Sequence, residues 1–76
     1  MVVNISPKEF KIEVETIGQV VSMIMALEGK ILSWCVSSEI KKKAIFFSFK
    51  TCQDLDLVQS RIKIAGLSEK NLIQEH

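Results

Sequence analysis

An α+β fold, with one antiparallel sheet covered on a single face by two helices, is predicted from three features of this 76-residue chain. First, the segments FKIEVETIGQVVSMIMALEG and AIFFSFKTCQDLDLVQSRIKIAG share one plan: an alternating apolar run, a threonine, then an amphipathic run that stops at glycine. Second, KILSWCV and the run beginning at Ala44 alternate with period two on either side of a polar turn, as a hairpin does. Third, a composition of 47% apolar and 25% charged residues is that of a globular chain, and the length allows one domain, 1–76.

The first strand places Phe10, Ile12 and Val14 on one face against Lys11, Glu13 and Glu15 on the other. Thr16 followed by Gln19 has the form of a capping box, in which hydroxyl and amide each take an orphan N–H at a helix start. A helix over 17–28 follows, with Ile17, Val20, Val21, Ile24 and Leu27 as its core stripe and Gly29 beyond its end. Residues 31–49 form the hairpin: Leu32, Trp34 and Val36 share one face, Ser33, Cys35 and Ser37 the other, and SSEIKK makes the turn. In the following strand Ile45, Phe47 and Phe49 share the face the helices cover. Thr51 with Asp54 repeats the cap in looser form before a second helix over 52–65, whose stripe is Leu55, Val58, Ile62 and Ala65 and whose stop is Gly66. Burial is expected for Phe10, Ile12, Val14, Leu32, Trp34, Phe47, Phe49, Val58 and Ile62.

Strand, helix, strand, strand, helix is the ferredoxin-like split βαβ order short of its last strand. Two stretches compete for the vacant sheet position. The tail over 67–76 ends in NLIQEH, which is short and weakly apolar. Residues 2–5, VVNI, followed by the turn SPKE, are the stronger candidate for an extra edge strand.

Charge narrows the function. Ten Lys and Arg against nine Asp and Glu give a net charge of +1, without the basic field of a nucleic-acid binder. KKAIFFSF nevertheless resembles the third strand of the RNA recognition motif, K/R-G-F/Y-G/A-F-V-x-F/Y. One of its two stacking positions is here Ala44, and the open face of the first strand would carry Lys11, Glu13 and Glu15. Base stacking adds about 1–3 kcal/mol per base, so Phe46 alone makes a poor platform beside two carboxylates. Lys41, Lys42 and Lys43 read as a solvated turn, and nucleic-acid binding is not expected. Chemistry is equally sparse. His76 is the only histidine, Cys35 and Cys52 lack C-x-x-C spacing, and no phosphate-binding glycine motif occurs. No enzyme, cofactor or metal site is predicted. The longest nearly apolar run, VVSMIMAL, is too short to span a bilayer, and the start has no basic segment before an apolar one, so no membrane or secretory signal is expected. The two cysteines then read as reduced thiols of an intracellular protein.

The stretch VETIGQVVSMIMALEGKILSWCVSS resembles the ACT-like domains, small ferredoxin-like regulatory modules. Glu15 stands at the acidic position that ends the first strand, Gly18 at the turn glycine and Gly29 at the glycine before strand two. ALEGKILSWCVSS is similar to the ACT-like domains at the C-terminal ends of plant basic helix-loop-helix transcription factors, and the resemblance covers about residues 2–65. It implies a non-catalytic regulatory module that pairs with a second copy or a related chain, nuclear if part of a transcription factor and otherwise cytoplasmic. It also implies a turn for an amino-acid effector at Glu15, Thr16, Ile17, Gly18 and Gln19. Because ETIG lacks the family's proline and keeps a bulky Ile17, no such ligand is expected to bind.

The residues point to pairing on their own account. Met23 and Met25 supplement the first helix stripe, and Leu57 and Ile64 the second; surplus apolar surface of this kind marks interaction sites. The strand around Ser33, Cys35 and Ser37 has little charge to blunt a sheet edge. The expected partner is therefore protein, as a homodimer or related-chain heterodimer, through these residues.

Overall fold

The alternation of Phe10, Ile12 and Val14 builds the centre of the protein. In the structure, a computed structural model describing residues 6–73, strand β1 runs Lys8–Val14 with all three side chains buried. Helix α1 (Ile17–Ala26), strands β2 (Ser33–Glu39) and β3 (Ala44–Thr51), and helix α2 (Leu55–Ile64) follow. A short 3-10 turn over Glu69–Asn71 leads into a two-residue strand, β4 (Leu72–Ile73). The fold is thus a small α+β one, with a four-stranded antiparallel sheet ordered β2-β3-β1-β4.

Register decides which phenylalanines are core. Phe10 lies opposite Phe49 and Ile12 opposite Phe47, which puts the odd-numbered side of β3 under the helices. Phe49 stacks on Phe10 and on Phe47, with ring centroids 5.5 and 5.1 Å apart. Val20, Met23 and Leu27 at the first helix, with Val58 and Ile62 of α2, close the same cluster, so both helices cover one face. Phe46 is half-buried on the opposite face, as the alternation requires.

Four expectations are corrected. The strand beside β1 is Leu72–Ile73, from the tail, pairing with Ile12 and Lys11; the Asn71 side-chain amide donates to the Glu13 carbonyl at 3.0 Å and pins it there. The favoured alternative, residues 2–5, lies outside the described residues. Leu32 and Trp34, expected in the core, are 63% and 55% exposed. All the buried residues of the sheet come from β1 and β3, so the helices sit over the two central strands and leave β2 uncovered. Met23 is core rather than interface, with no exposed surface, while Ile17 and Val21 of the expected stripe are about half exposed. Finally, Thr51 does not cap the second helix.

That role belongs to Asp54, whose carboxylate accepts from Leu57 N–H at 2.9 Å. Thr51 is instead the fully buried last residue of β3, donating to the Lys30 carbonyl and accepting from Gln53 N–H at 3.1 Å. It ties the loop entering β2 to the strand beside it. Replacing one partner of a buried hydrogen bond leaves the other unsatisfied, at a cost of about 1–3 kcal/mol. Thr51→Val keeps the shape and is expected to lower urea stability by that amount, whereas an unchanged midpoint would mean the hydroxyl contributes nothing.

The helix stops follow glycine chemistry. Past α2, Gly66 at φ 82° donates to Lys63 and Leu67 N–H reaches the Ile62 carbonyl, the paired bonds of a Schellman motif. Helix α1 ends two residues earlier than expected because both Glu28 and Gly29 take positive φ, 52° and 77°.

Candidate interaction surface

Two places were singled out by sequence, the turn entering α1 and the surplus apolar side chains. The turn is a complete capping box. Thr16 Oγ1 accepts from Gln19 N–H at 3.3 Å, and Gln19 Oε1 accepts from the N–H groups of Thr16 at 3.1 Å and Glu15 at 2.6 Å. These are the donors that a ligand carboxylate at a helix start would use, and the chain's own Gln19 engages them. A Cβ on Gly18 would meet only Thr16 Oγ1, at 3.6 Å, so space does not demand glycine there. Ile17 points outward, 56% exposed.

The apolar surface is better defined. Helix α1 packs against α2 and against β1. The Arg61–Glu28 ion pair, 3.6 Å, and a groove between Ser22, Ala26, Ile64 and Ala65 mark the flank of α1 that faces α2. At 100° per residue, Ile17, Val21 and Ile24 occupy the opposite flank. The open edge of the sheet on the helix-bearing side is β2. There Leu32, Trp34 and Val36 project from the helix side of the edge strand, because Trp34 pairs with Phe49 and Val36 with Phe47. The indole lies against Phe47, ring centroids 6.0 Å apart, with about half of its surface exposed. Leu32, Trp34 and Val36 thus form an exposed apolar row along β2, continued by Ile40, which is 90% exposed at the turn.

The other predicted interface residues divide. Met25 and Ile64 are exposed at 73% and 64% on top of the helix layer, beside the groove between the helices. Leu57 is half-buried, and Ser33, Cys35 and Ser37 are exposed on the helix-free face of β2. That face is polar, with Glu13 opposite Phe46, Lys11 opposite Ser48 and Glu9 opposite Lys50, and Lys11 Nζ sits 4.9 Å from the centre of the Phe46 ring. The ammonium occupies the face on which a base would stack. Ile17, Val21, Leu32 and Trp34, expected in the core, are the surface residues the sequence does not reveal; the available signal for the edge is the uncharged run Ile31–Ser38.

Among the described residues, no group of three or more His, Cys, Asp or Glu side chains is placed to hold a metal, and no helix is long and apolar enough to cross a membrane. No family model, curated protein or solved structure matches the chain.

Proposed function

We propose that this chain is a non-catalytic interaction module of the ferredoxin-like, ACT-like kind, which pairs through the α1–β2 surface with a second copy or a related chain. The strand order β2-β3-β1-β4 with both helices on one face supports the fold assignment. The carrying observation for the function is the exposed apolar row of Leu32, Trp34 and Val36 on an open sheet edge, with Ile17 and Val21 of α1 exposed as well. Isolated domains rarely leave such a patch, and a tryptophan at its centre is the usual energetic anchor of an interface. A regulatory role, as in the transcription-factor domains that the sequence resembles, follows from pairing: dimerisation brings together whatever is attached to each copy.

Sedimentation equilibrium across the micromolar range tests this. The expected mass is twice the 8.6 kDa of one chain, and a single-chain mass at every concentration would return the surface to an unpartnered edge.

A further inference from the structure

Resting on the interaction reading, we propose that Ser38 is a phosphorylation site, and that its modification separates the chain from its partner. The hydroxyl lies within the apolar row itself. Trp34, Val36 and Ser38 pair with Phe49, Phe47 and Ile45, whose side chains all belong to the helix-covered core or pack against it. The three therefore share the helix side of β2. With Leu32 and Ile40 at its ends, the row contains one polar side chain, Ser38.

The site is open to an enzyme. β2 is an outer strand, so one of its backbone edges has no strand neighbour among the described residues, and every residue of it is exposed. An extended segment with a free edge is the form in which a peptide docks by strand addition. The Ser38 hydroxyl is engaged by no described residue, whereas those of Ser22 and Ser68 bond backbone groups of their own turns. Glu39 comes next in the chain, and Lys41, Lys42 and Lys43, all exposed, stand three to five residues beyond Ser38. A run of cations at fixed distance from a hydroxyl is a charge pattern by which a kinase selects its substrate.

The reaction moves the γ-phosphoryl group of a nucleoside triphosphate to Ser38 Oγ. The bond from phosphorus to the bridging oxygen breaks and a new one forms to Oγ. The hydroxyl proton passes to the kinase's catalytic aspartate, and nucleoside diphosphate leaves. The product carries a charge of about −1.5 to −2 and three acceptor oxygens, set between Val36 and Ile40. Covering the row then strips water from an unpaired anion, and in a symmetric pair from two. Ser37, one residue back, points to the polar helix-free side with Ser33 and Cys35, so a phosphate there stays in solvent. The coupling runs both ways: a partner seated on the row shields Ser38, so phosphorylation slows as pairing rises.

Ligation at the native Cys35 joins residues 1–34 to a synthetic segment 35–76 that carries phosphoserine at position 38 or, as a control, at position 37. Phosphate at 38 is expected to weaken association in sedimentation by about 100-fold or more, and phosphate at 37 by less than about threefold. Both positions are exposed in the single chain, so circular dichroism is expected to match the unmodified chain in each case. A serine kinase selective for basic residues C-terminal to its acceptor, given magnesium and ATP, is expected to label wild type but not Ser38→Ala. Labelling should slow as chain concentration rises. Equal effects of the two phosphates, a dimer undisturbed by phosphate at 38, or label that is absent or survives Ser38→Ala overturns the switch and leaves the interaction reading standing. A chain that is monomeric without any phosphate overturns both.

Discussion

Trp34→Lys is expected to abolish the proposed dimer, weakening association by about 100-fold or more at neutral pH. Aromatic anchors at interface centres contribute about 2 kcal/mol or more when removed, and two-fold symmetry removes two of them per dimer while placing two ammonium groups on an apolar surface. The fold should survive, because the indole is 55% exposed in the single chain and its ring partner is Phe47, tilted against it. Sedimentation velocity at matched concentrations checks the first expectation and circular dichroism the second. A Trp34→Lys chain that remains dimeric would move the interface to the top of the helix layer. Met25→Lys, at a residue 73% exposed beside the groove between the helices, then becomes the decisive substitution.

Phe47→Ala is expected to remove a large share of the chain's stability. The side chain is completely buried between Phe49, Trp34 and the helix layer. Its removal costs about 3–5 kcal/mol through lost burial and a residual cavity. At about 0.05–0.15 kcal/mol per residue, the whole chain holds only about 4–11 kcal/mol of stability. Phe46→Ala, one residue away, should cost about 1 kcal/mol, since the ring is half-buried on the opposite face and its identified partner is the Lys11 ammonium. Urea unfolding of the two variants measures the difference. The reverse order of effects would mean that β3 is shifted by one residue, because a one-residue slip exchanges its faces.

The contrast between Phe46 and Phe47 was legible from alternation alone, as were the number and order of the first five elements. Period-two and three-to-four spacing are local properties, written into neighbouring residues and enforced by backbone geometry that every chain shares. The Thr16 capping box and the left-handed stops at Gly29 and Gly66 belong to the same class, since each needs only residues within about one helical turn. Local patterns became ambiguous where two solutions lay close together. Thr51 and Asp54 were both plausible caps, and the loop carbonyl of Lys30, distant in sequence, claimed the threonine hydroxyl.

The candidate surface was legible only in its chemistry. The first helix and its cap residue carry Ile17, Val20, Val21, Met23, Ile24, Met25 and Leu27, apolar nearly all round, so periodicity does not choose a buried side. Docking onto the sheet chose Val20, Met23 and Leu27, which buried Met23 and left Val21 exposed. Trp34 shows the same division. Its face in the strand follows from the pleat, whereas its exposure depends on two helices lying over the central strands and stopping short of the edge. The two-residue β4 has no period to detect and exists because a 3-10 turn and the Asn71 amide hold it against β1. Secondary structure and facing are short-range consequences of residue order; coverage is a long-range one, decided when elements far apart in the chain compete for the same area of sheet.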